Sequence, residues 1–565
     1  MGSSNSPAYN LGFAILAGEN GLSRTRRVSI CTRLLDKDES MTAKTKPEKY
    51  HAPFCVRSFY SRSSKNSLNY RNSVYSCNCY DSQPSSSLNS LNGSLWSASE
   101  IAASVNGEIV KWGPPGTICT DSRNLNSGQW FFAIVGERFD GHDFVSPSLD
   151  DKGCVGVVGN KVCEKWRRGF IKVEGNTLIA LEKLAKHARN RFDGHVVGLT
   201  GSVGKTTTRT MIALALESLG QVYQTHGNQN NLIGVALTLI GIPASTEVSV
   251  LELGMNRKGE ISGLAQICRP SVRVILNVGH AHMENFSSLE EVAGAKGELL
   301  MEAKPGDVCV LNADDPPVMS IPVPAGVKKV LFGRRLGSDV RLVLAESIHG
   351  GSAVHVILEH RVFEFDKNAL VSDEWATDTV EFQIHSPGLH LAVNACAAAA
   401  VAVSLGVPLY QVGESLSRFE PVHMRSELEI AENGIRIIND VYNANPTSMR
   451  AAIDLLKAMD CKGKRVAILG DMLELGATDA EAHKMVLNMC CDASFGLIAC
   501  VGKRFHLAAE NLNLLGNDNV MCAVDSKSIA LKVRERLAAV DVVLVKGSRA
   551  MQMERVVDAI KDLSI

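Results

Sequence analysis

The stretch from His195 to Leu219 constrains the fold more than any other part of this 565-residue chain. An apolar strand pattern, HVVGLT, runs into the loop GSVG, and an apolar-periodic helix follows it through Leu219. Glycines let the backbone turn its N–H groups onto phosphate oxygens, and the start of a helix adds positive potential. The stretch therefore predicts a nucleotide phosphate-binding loop at the carboxyl edge of a parallel α/β sheet.

In such a loop a lysine ammonium reaches the terminal phosphates and a hydroxyl binds Mg²⁺, roles that fit Lys205 and Thr206. The common motif has glycine at the position of Leu199, so this loop is a variant. A glycine turn beside an exposed lysine is the alternative, and the flanking strand and helix disfavour it. The residues expected to contact the nucleotide here are Gly201, Ser202, Val203, Gly204, Lys205, Thr206 and Thr207.

Composition limits the possible partners. Hydrophobic residues make up 45% and charged residues 21% of the chain, as in ordinary globular enzymes, and no apolar run is long enough to predict a membrane span. Beyond residue 95 the chain has 47 basic and 54 acidic residues, which argues against nucleic acid as a partner. The 15 cysteines include no C-x-x-C pair, which argues against a zinc site. Their scattered positions are typical of a protein in a reducing compartment.

The first 95 residues differ from the rest. They contain 19 serines and 12 basic against 6 acidic residues, with no sustained helical or strand period. This composition predicts a removable plastid (chloroplast) transit peptide or a disordered tail, and hence a soluble plastid protein. The start at Met1–Ser6 also fits a myristoylation signal, but one acyl chain binds membranes only marginally, so transit is favoured.

Strand-like runs alternate with helical patterns from about Trp96, and this rhythm predicts parallel α/β sheets. The expected strands are 195–200, 248–254, 272–278, 307–312 and, after a restart near residue 420, 435–440, 465–471, 497–502 and 541–547. We expect three domains, at 96–190, at 191–418 with the phosphate loop, and at 419–565, and the last is Rossmann-like. No repeat of 20–50 residues is visible.

Four segments carry a family resemblance: TGSVGKTT at 200–207, YNANP at 442–446, GDMLELG at 470–476 and VKGSRAMQME at 545–554. Together they resemble the Mur ligases, in particular those that add D-alanyl-D-alanine to a nucleotide-linked muramoyl tripeptide. The resemblance covers about residues 96–565. It implies an α/β, three-domain Mur ligase architecture: an N-terminal domain that binds the UDP-linked substrate, a central ATP-binding P-loop ATPase domain and a Rossmann-like C-terminal domain.

The resemblance also implies a reaction: an ADP-forming amide ligase that joins UDP-N-acetylmuramoyl-tripeptide to D-alanyl-D-alanine through an acyl phosphate, with ATP and Mg²⁺ as cofactors, in peptidoglycan precursor synthesis. We expect a monomer. One alternative is a polyglutamylating or cyanophycin-type ligase of the same superfamily, which YNANP and GDMLELG disfavour. The other is a non-catalytic plastid protein that keeps the fold.

Glu252 ends a strand, where a carboxylate can face the nucleotide. By resemblance Glu252 and His282 bind magnesium together with Thr206, and Lys296 is carbamylated and ligates a second ion. The alternatives are surface residues at strand ends and, for Lys296, an exposed helix lysine. The residues implied to act in catalysis are Lys205, His282, Lys296 and Arg425.

The resemblance assigns further contacts. Asn312, Asn394, Arg425 and Asp440 hold the nucleotide, although an asparagine near a helix start is usually an N-cap. Two positions depart from the family: Leu391 replaces an asparagine, and Asn439 replaces the first of two acids. The residues implied to bind the uridine nucleotide, the muramoyl peptide and the incoming dipeptide are Ser122, Arg123, Asp140, Gly141, His142, Asn228, Asn230, Asn231, Tyr442, Asn443, Asn445, Lys546, Ser548 and Arg549.

Overall fold

The computed structural model describes residues 25–29, 94–136, 138–363 and 375–563. Of the first 95 residues it describes residues 94 and 95 and strand β1 (Thr25–Ser29), a strand that the sequence pattern did not predict. It pairs in parallel with the otherwise open edge of the central sheet. The remaining tail, with the myristoylation signal, lies outside the described residues. No helix in the described ranges is long and apolar enough to cross a membrane.

The N-terminal unit is a five-stranded sheet in the order β2-β6-β5-β4-β3, parallel except for β2. Its elements are α1 (Ala98–Val105), β2 (Glu108–Lys111), β3 (Thr117–Cys119), β4 (Gln129–Phe132), α2 (Pro147–Asp151), β5 (Gly156–Gly159), β6 (Gly169–Lys172) and α3 (Thr177–Arg191). Gly156 lies against the buried Trp130, and a Cβ there would come within 2.2 Å of the indole ring. The Trp96 indole donates to the Ile240 carbonyl at 3.0 Å, which fastens this unit to the central one.

The central sheet has ten strands among the described residues, in the order β1-β15-β14-β13-β12-β11-β10-β7-β9-β8. Its strands are β7 (His195–Thr200), β8 (Gln221–Gln224), β9 (Thr246–Glu252), β10 (Val272–Ile275), β11 (Val308–Asn312), β12 (Lys328–Gly333), β13 (Val340–Ile348), β14 (Ala353–Phe363) and β15 (Trp375–Ile384). Its helices are α4 (Lys205–Ala215), α5 (Leu232–Ile240), α6 (Glu260–Cys268), α7 (Leu289–Met301), α8 (Pro316–Met319), α9 (His390–Ser404) and α10 (Leu409–Ser417). Apolar clusters cover both faces of the sheet.

The structure corrects two expectations for this unit. Strands β13, β14 and β15 are antiparallel, because the short turn between β13 and β14 leaves no room for the crossover that parallel strands need. The helix after the phosphate loop ends at Ala215 rather than Leu219, and a 3₁₀ turn at Glu217–Leu219 follows it. The remaining predicted strands are present, but two end earlier, at Glu252 and Ile275.

The C-terminal unit is a six-stranded sheet in the order β16-β17-β21-β18-β19-β20, parallel except for β16. Its strands are β16 (Glu427–Ile430), β17 (Arg436–Asp440), β18 (Arg465–Gly470), β19 (Leu497–Val501), β20 (Val520–Ala523) and β21 (Val542–Lys546). Its helices are α11 (Pro446–Ala458), α12 (Asp479–Asp492), α13 (Lys503–Asn511), α14 (Ser526–Arg534) and α15 (Glu554–Lys561). All four strands predicted after the restart are present.

Candidate active site

The phosphate loop has the conformation that its glycines permit. Gly204 precedes α4 with φ +79°, a left-handed conformation that favours glycine, and a Cβ there would lie 2.9 Å from Oδ1 of Asn394. The Lys205 ammonium donates to the Gly201 carbonyl at 3.0 Å. The loop is therefore a close-fitting backbone cradle against helix α9.

Asn394 is the fifth residue of α9, so the N-cap alternative for this side chain is wrong. Its amide nitrogen is buried and has no hydrogen-bond partner among the described residues. Leu391, by contrast, packs into the apolar core. A buried donor without a partner is unfavourable. The Asn394 amide therefore presents a free N–H group beside the phosphate loop.

Thr206 and Glu252 meet directly below the loop. The Thr206 hydroxyl donates to Oε2 of Glu252 at 2.8 Å, and only 1% of Glu252 is exposed. Asn230 donates to Oε1 at 2.8 Å, and the Arg209 guanidinium lies 3.5 Å from Oε2. The surface alternative for Glu252 is therefore wrong, and a carboxylate and a hydroxyl oxygen stand side by side.

Lys296 lies in α7 with 2% of its surface exposed, so the exposed-lysine alternative is wrong. Burial, followed by the positive charge of Lys205, holds the pKa of Lys296 well below its usual range. Burial also lowers the pKa of His282, as do the charges of Lys205 and Lys296. Three of the predicted catalytic residues thus lie within electrostatic reach of one another.

His282 links the central and C-terminal units. Its Nδ1 lies 2.7 Å from Oε2 of Glu474, in the segment GDMLELG. Both residues have positive φ, 58° and 64°, a conformation that non-glycine residues adopt only when their surroundings hold them there. The two loops therefore hold each other in place across the domain boundary.

A second contact crosses the same boundary, through Tyr442. Within the C-terminal unit, the Arg425 guanidinium stacks on the Tyr442 ring, 4.0 Å from its centroid. The Tyr442 phenol is hydrogen-bonded to Asn228, and burial raises its pKa although the Arg425 charge opposes this. Arg425 also contributes to the depressed pKa of Lys205, after burial. Predicted nucleotide and substrate residues of both units therefore converge on the phosphate loop.

Asp440 and Lys546 form a buried ion pair. Lys546 Nζ lies 2.7 Å from Oδ2 of Asp440, and it donates to the Asn443 carbonyl at 2.8 Å. The hydroxyl of Ser548 accepts from the Leu473 N–H at 2.9 Å. These side chains brace the loops at the carboxyl ends of β17 and β21.

Three of the asparagines predicted to bind ligands form hydrogen bonds with backbone groups near them. Asn231 caps α5 and Asn445 caps α11, each by accepting a backbone N–H in the first turn. The Asn312 amide donates to the Leu276 carbonyl at 2.8 Å and accepts from the Asp314 N–H at 3.0 Å. Their hydrogen bonds position the loops, and their direct contacts with ligands stay predictions.

The uridine-site candidates lie on the N-terminal sheet. Asp140 accepts from the His142 backbone at 2.9 Å and from its Nδ1 at 2.5 Å, while His142 Nε2 accepts from the Asn160 N–H. A Cβ on Gly141 would come within 2.7 Å of the Ile134 nitrogen. The turn is thus rigid and internally bonded.

In the loop between β3 and β4, Ser122 is half-buried and its carbonyl accepts from Lys152 at 2.8 Å. The Arg123 side chain is 86% exposed and pairs with Asp121. Arg549, in the C-terminal unit, is also largely exposed and pairs with Glu554. These exposed guanidinium groups are accessible to an anionic ligand.

Sequence reasoning missed Asn277, Arg209 and Glu474. Asn277 follows β10, and its Oδ1 accepts the N–H groups of Ser202 and Val203 at 3.0 and 2.9 Å. The sequence pattern placed Asn277 inside the predicted strand 272–278. Because the strand ends at Ile275, Asn277 has the same kind of strand-end position that singled out Glu252. Arg209 also donates to the Gly227 carbonyl at 2.7 Å, but nothing in the sequence distinguished it from a surface residue of α4.

Comparison with known proteins agrees with this geometry. The Mur ligase middle domain matches residues 199–402, and the Mur ligase, glutamate ligase domain matches residues 423–549. The UDP-N-acetylmuramoyl-tripeptide–D-alanyl-D-alanine ligase of Bacillus subtilis is 33% identical over 447 residues, 79% of this chain and 92% of the relative. The chain belongs to the Mur ligase family.

Solved Mur ligases share the architecture. A crystal structure of MurF from Acinetobacter baumannii superposes with a TM-score of 0.72 at 28% identity, covering 84% of this chain and all of that one. The MurF ligase of Thermotoga maritima in complex with ADP gives a TM-score of 0.64 at 28% identity, covering 79% of this chain and 97% of that one. The three-domain Mur ligase fold is thus confirmed, and the chain is an ATP-dependent amide ligase of this family.

Asn277→Ala should weaken nucleotide binding. The change removes the acceptor that fixes two N–H groups of the phosphate loop, and each such bond contributes about 1 kcal/mol, so the dissociation constant for ADP should rise about tenfold or more. Calorimetric titration measures it. Asn285→Ala, at an exposed position nearby, is the matched control. Equal affinities for the two variants would contradict the role given to Asn277.

Proposed function

We propose that this chain joins the carboxyl group of UDP-N-acetylmuramoyl-tripeptide to the amine of D-alanyl-D-alanine, with cleavage of ATP to ADP and phosphate. The observation that carries the proposal is the buried Thr206–Glu252 pair at the phosphate loop, with Lys296 and His282 beside it. The relatives named above, which bear this activity in their names, support it.

The residues present fit ATP. Gly204 leaves space that a side chain would fill, and the unpaired Asn394 amide borders it. We assign the phosphates to residues 201–207 with Arg425, and the nucleoside to the loops of Asn312 and Asp440. The Asp440–Lys546 pair supports a positioning role for that acid. The Thermotoga relative in complex with ADP is consistent with this assignment.

The donor set fits Mg²⁺, a hard cation that prefers oxygen ligands. We assign one ion to Thr206, Glu252 and His282, and a second ion to the carbamate that we propose at Lys296. When bound, Mg²⁺ offsets negative charge on the transferring phosphoryl group. The lowered pKa of His282 supports a neutral imidazole, which is the form that binds metals.

In the proposed reaction a substrate carboxylate oxygen attacks the γ-phosphorus, the bond to ADP breaks, and an acyl phosphate forms. The dipeptide amine then attacks the acyl carbon and phosphate leaves. Lys205 and Arg425 supply positive charge where it develops on phosphate oxygens. A free α-amino group has a pKa of about 7.7–8.0 and is partly neutral near that pH, so the reaction needs no side-chain base.

The two alternatives are disfavoured on separate grounds. Tyr442 of the YNANP segment contacts Asn228, and Glu474 of the GDMLELG segment contacts His282. The polyglutamylating or cyanophycin-type alternative does not explain why these two segments lie at the site. A non-catalytic protein gives no reason to keep Glu252 and Lys296 buried beside a phosphate loop, where unneeded charged groups are destabilising. Both facts support a working ligase of the D-alanyl-D-alanine-adding type.

Lys205→Ala should lower kcat by hundreds-fold or more while the fold persists, because the lysine charge acts mainly on the transition state. Phosphate release with both substrates, together with circular dichroism, measures this. Lys484→Ala, which removes a lysine paired with Glu481 on α12, should behave like the unmodified protein. Turnover by Lys205→Ala within about tenfold of the control would contradict the assignment.

Lys296→Ala should lose activity that acetate or formate partly restores. We propose that the neutral Lys296 amine adds CO₂, releasing a proton and leaving a carbamate; its low pKa supports a neutral amine, and an added carboxylate would fill the vacated anionic position. Turnover is measured against carboxylate concentration, with the exposed Lys304→Ala as control. Loss without rescue, together with no CO₂ dependence in the unmodified protein, would contradict the carbamate.

We propose that the residues before about 90 carry a plastid address and are dispensable for catalysis, as their serine-rich, acid-poor composition suggests. Residues 1–95 fused to a fluorescent protein should direct it to plastids in plant cells. A fusion in which Gly2 is replaced by Ala should behave identically. A diffuse or plasma-membrane signal that this replacement alters would instead support myristoylation.

A further inference from the structure

Two cysteines face each other on the edge of the C-terminal sheet. Cys500 on β19 and Cys522 on β20 are register partners in a parallel pair. Neighbouring strands lie about 4.8 Å apart, within the Cα separation of roughly 4.4–6.8 Å that a disulfide spans. Both side chains pack on the face covered by α12 and α13, whereas Ala499 and Ala523 pack on the opposite face. The two thiols therefore point the same way.

The thiols differ in their surroundings. Cys500 is fully buried, whereas Cys522 is half-buried. The Cys522 thiol is hydrogen-bonded to Cys500 and to His506 of α13, and Lys532 of α14 donates to the Cys522 carbonyl at 3.1 Å. One partner is thus open to solvent and lies beside basic groups, while the other is held behind it.

These contacts affect the acidity of the pair in opposite directions. The Cys500 hydrogen bond, followed by His506 and Lys532, lowers the pKa of Cys522 to about 6, although burial opposes it. The hydrogen bond to Cys522 and burial hold the pKa of Cys500 well above its usual range. Burial raises the pKa of the nearby Cys490 to about 12, so that thiol stays protonated. Cys522 is therefore the nucleophile of this cluster.

We propose that Cys522 and Cys500 form a redox-active dithiol site that reacts with low-molecular-weight disulfides. The Cys522 thiolate attacks one sulfur of the small disulfide, forming a mixed disulfide and releasing one thiolate. Cys500 then gives up its proton and attacks the Cys522 sulfur, which releases the second thiol and closes the Cys500–Cys522 bond. The protein loses two electrons and one proton, and the small disulfide takes them up to become one thiolate and one thiol.

The site is separate from the ligation machinery. Neither cysteine is among the residues assigned to nucleotide, metal or substrate, and β20 is the outer strand of its sheet. The proposal therefore does not depend on the ligase assignment, and either can fail alone.

Reduced full-length protein treated with glutathione disulfide near pH 7 tests the proposal by peptide mass spectrometry. The unmodified protein should form the Cys500–Cys522 disulfide. Cys500→Ser should stop at a glutathione adduct on Cys522, and Cys522→Ser should carry neither modification. Cys461→Ser, which removes another partly exposed thiol of the same domain, should behave like the unmodified protein.

Alkylation by iodoacetamide at pH 6.5 gives a readout that does not depend on disulfide closure. Cys522 should react about tenfold or more faster than Cys461, because the thiolate is the reactive form. Equal rates would overturn the nucleophile assignment. In the glutathione disulfide experiment, an adduct that persists at Cys522 in the unmodified protein, or no reaction there at all, would overturn the proposed dithiol site. Circular dichroism checks that each variant is folded.

Discussion

Glu252 is a carboxylate with 1% of its surface exposed. A carboxylate so far removed from water is stable only when both of its oxygens form hydrogen bonds or ion pairs. Thr206 from the phosphate loop, Asn230 from the loop before α5 and Arg209 from the middle of α4 all meet it. A single buried charge thus joins the phosphate loop to the loop that presents Asn228. Removing one of these partners would leave a buried charge less compensated, which is why the local geometry depends on this contact.

The second constraint is the meeting of two units that fold on separate sheets. His282 contacts Glu474, and Asn228 contacts Tyr442, on which Arg425 stacks. These contacts place charged and polar groups of the C-terminal unit against the phosphate loop. In the proposed reaction a carboxylate, a phosphoryl group and an amine must be aligned, and holding reactants together in the correct geometry supplies a large share of a rate enhancement. A site formed at a domain boundary suits that task, because each unit can carry one substrate.

Much of the fold and of the candidate active site could be predicted from local sequence patterns. The strand, glycine loop and helix at His195–Leu219 identified Lys205 and Thr206, and strand-end polarity identified Glu252, because those signals are encoded in adjacent residues. The antiparallel arrangement of β13–β15 was not predicted, because an apolar run shows neither the direction of a strand nor the strand with which it pairs. Arg209 and Glu474 were missed because their partners lie 43 and 192 residues away, at distances that only the folded chain reveals. Burial of Lys296 likewise depends on how α7 packs, which its sequence alone left open.

The most direct test of the central claim is a product assay with ATP, Mg²⁺ and UDP-N-acetylmuramoyl-tripeptide, run with D-alanyl-D-alanine, with L-glutamate or with neither amine. The uridine-linked pentapeptide should form only with D-alanyl-D-alanine, with one ADP and one phosphate released per product. Glutamate addition, or the absence of any product from a folded protein that binds ADP, would contradict it.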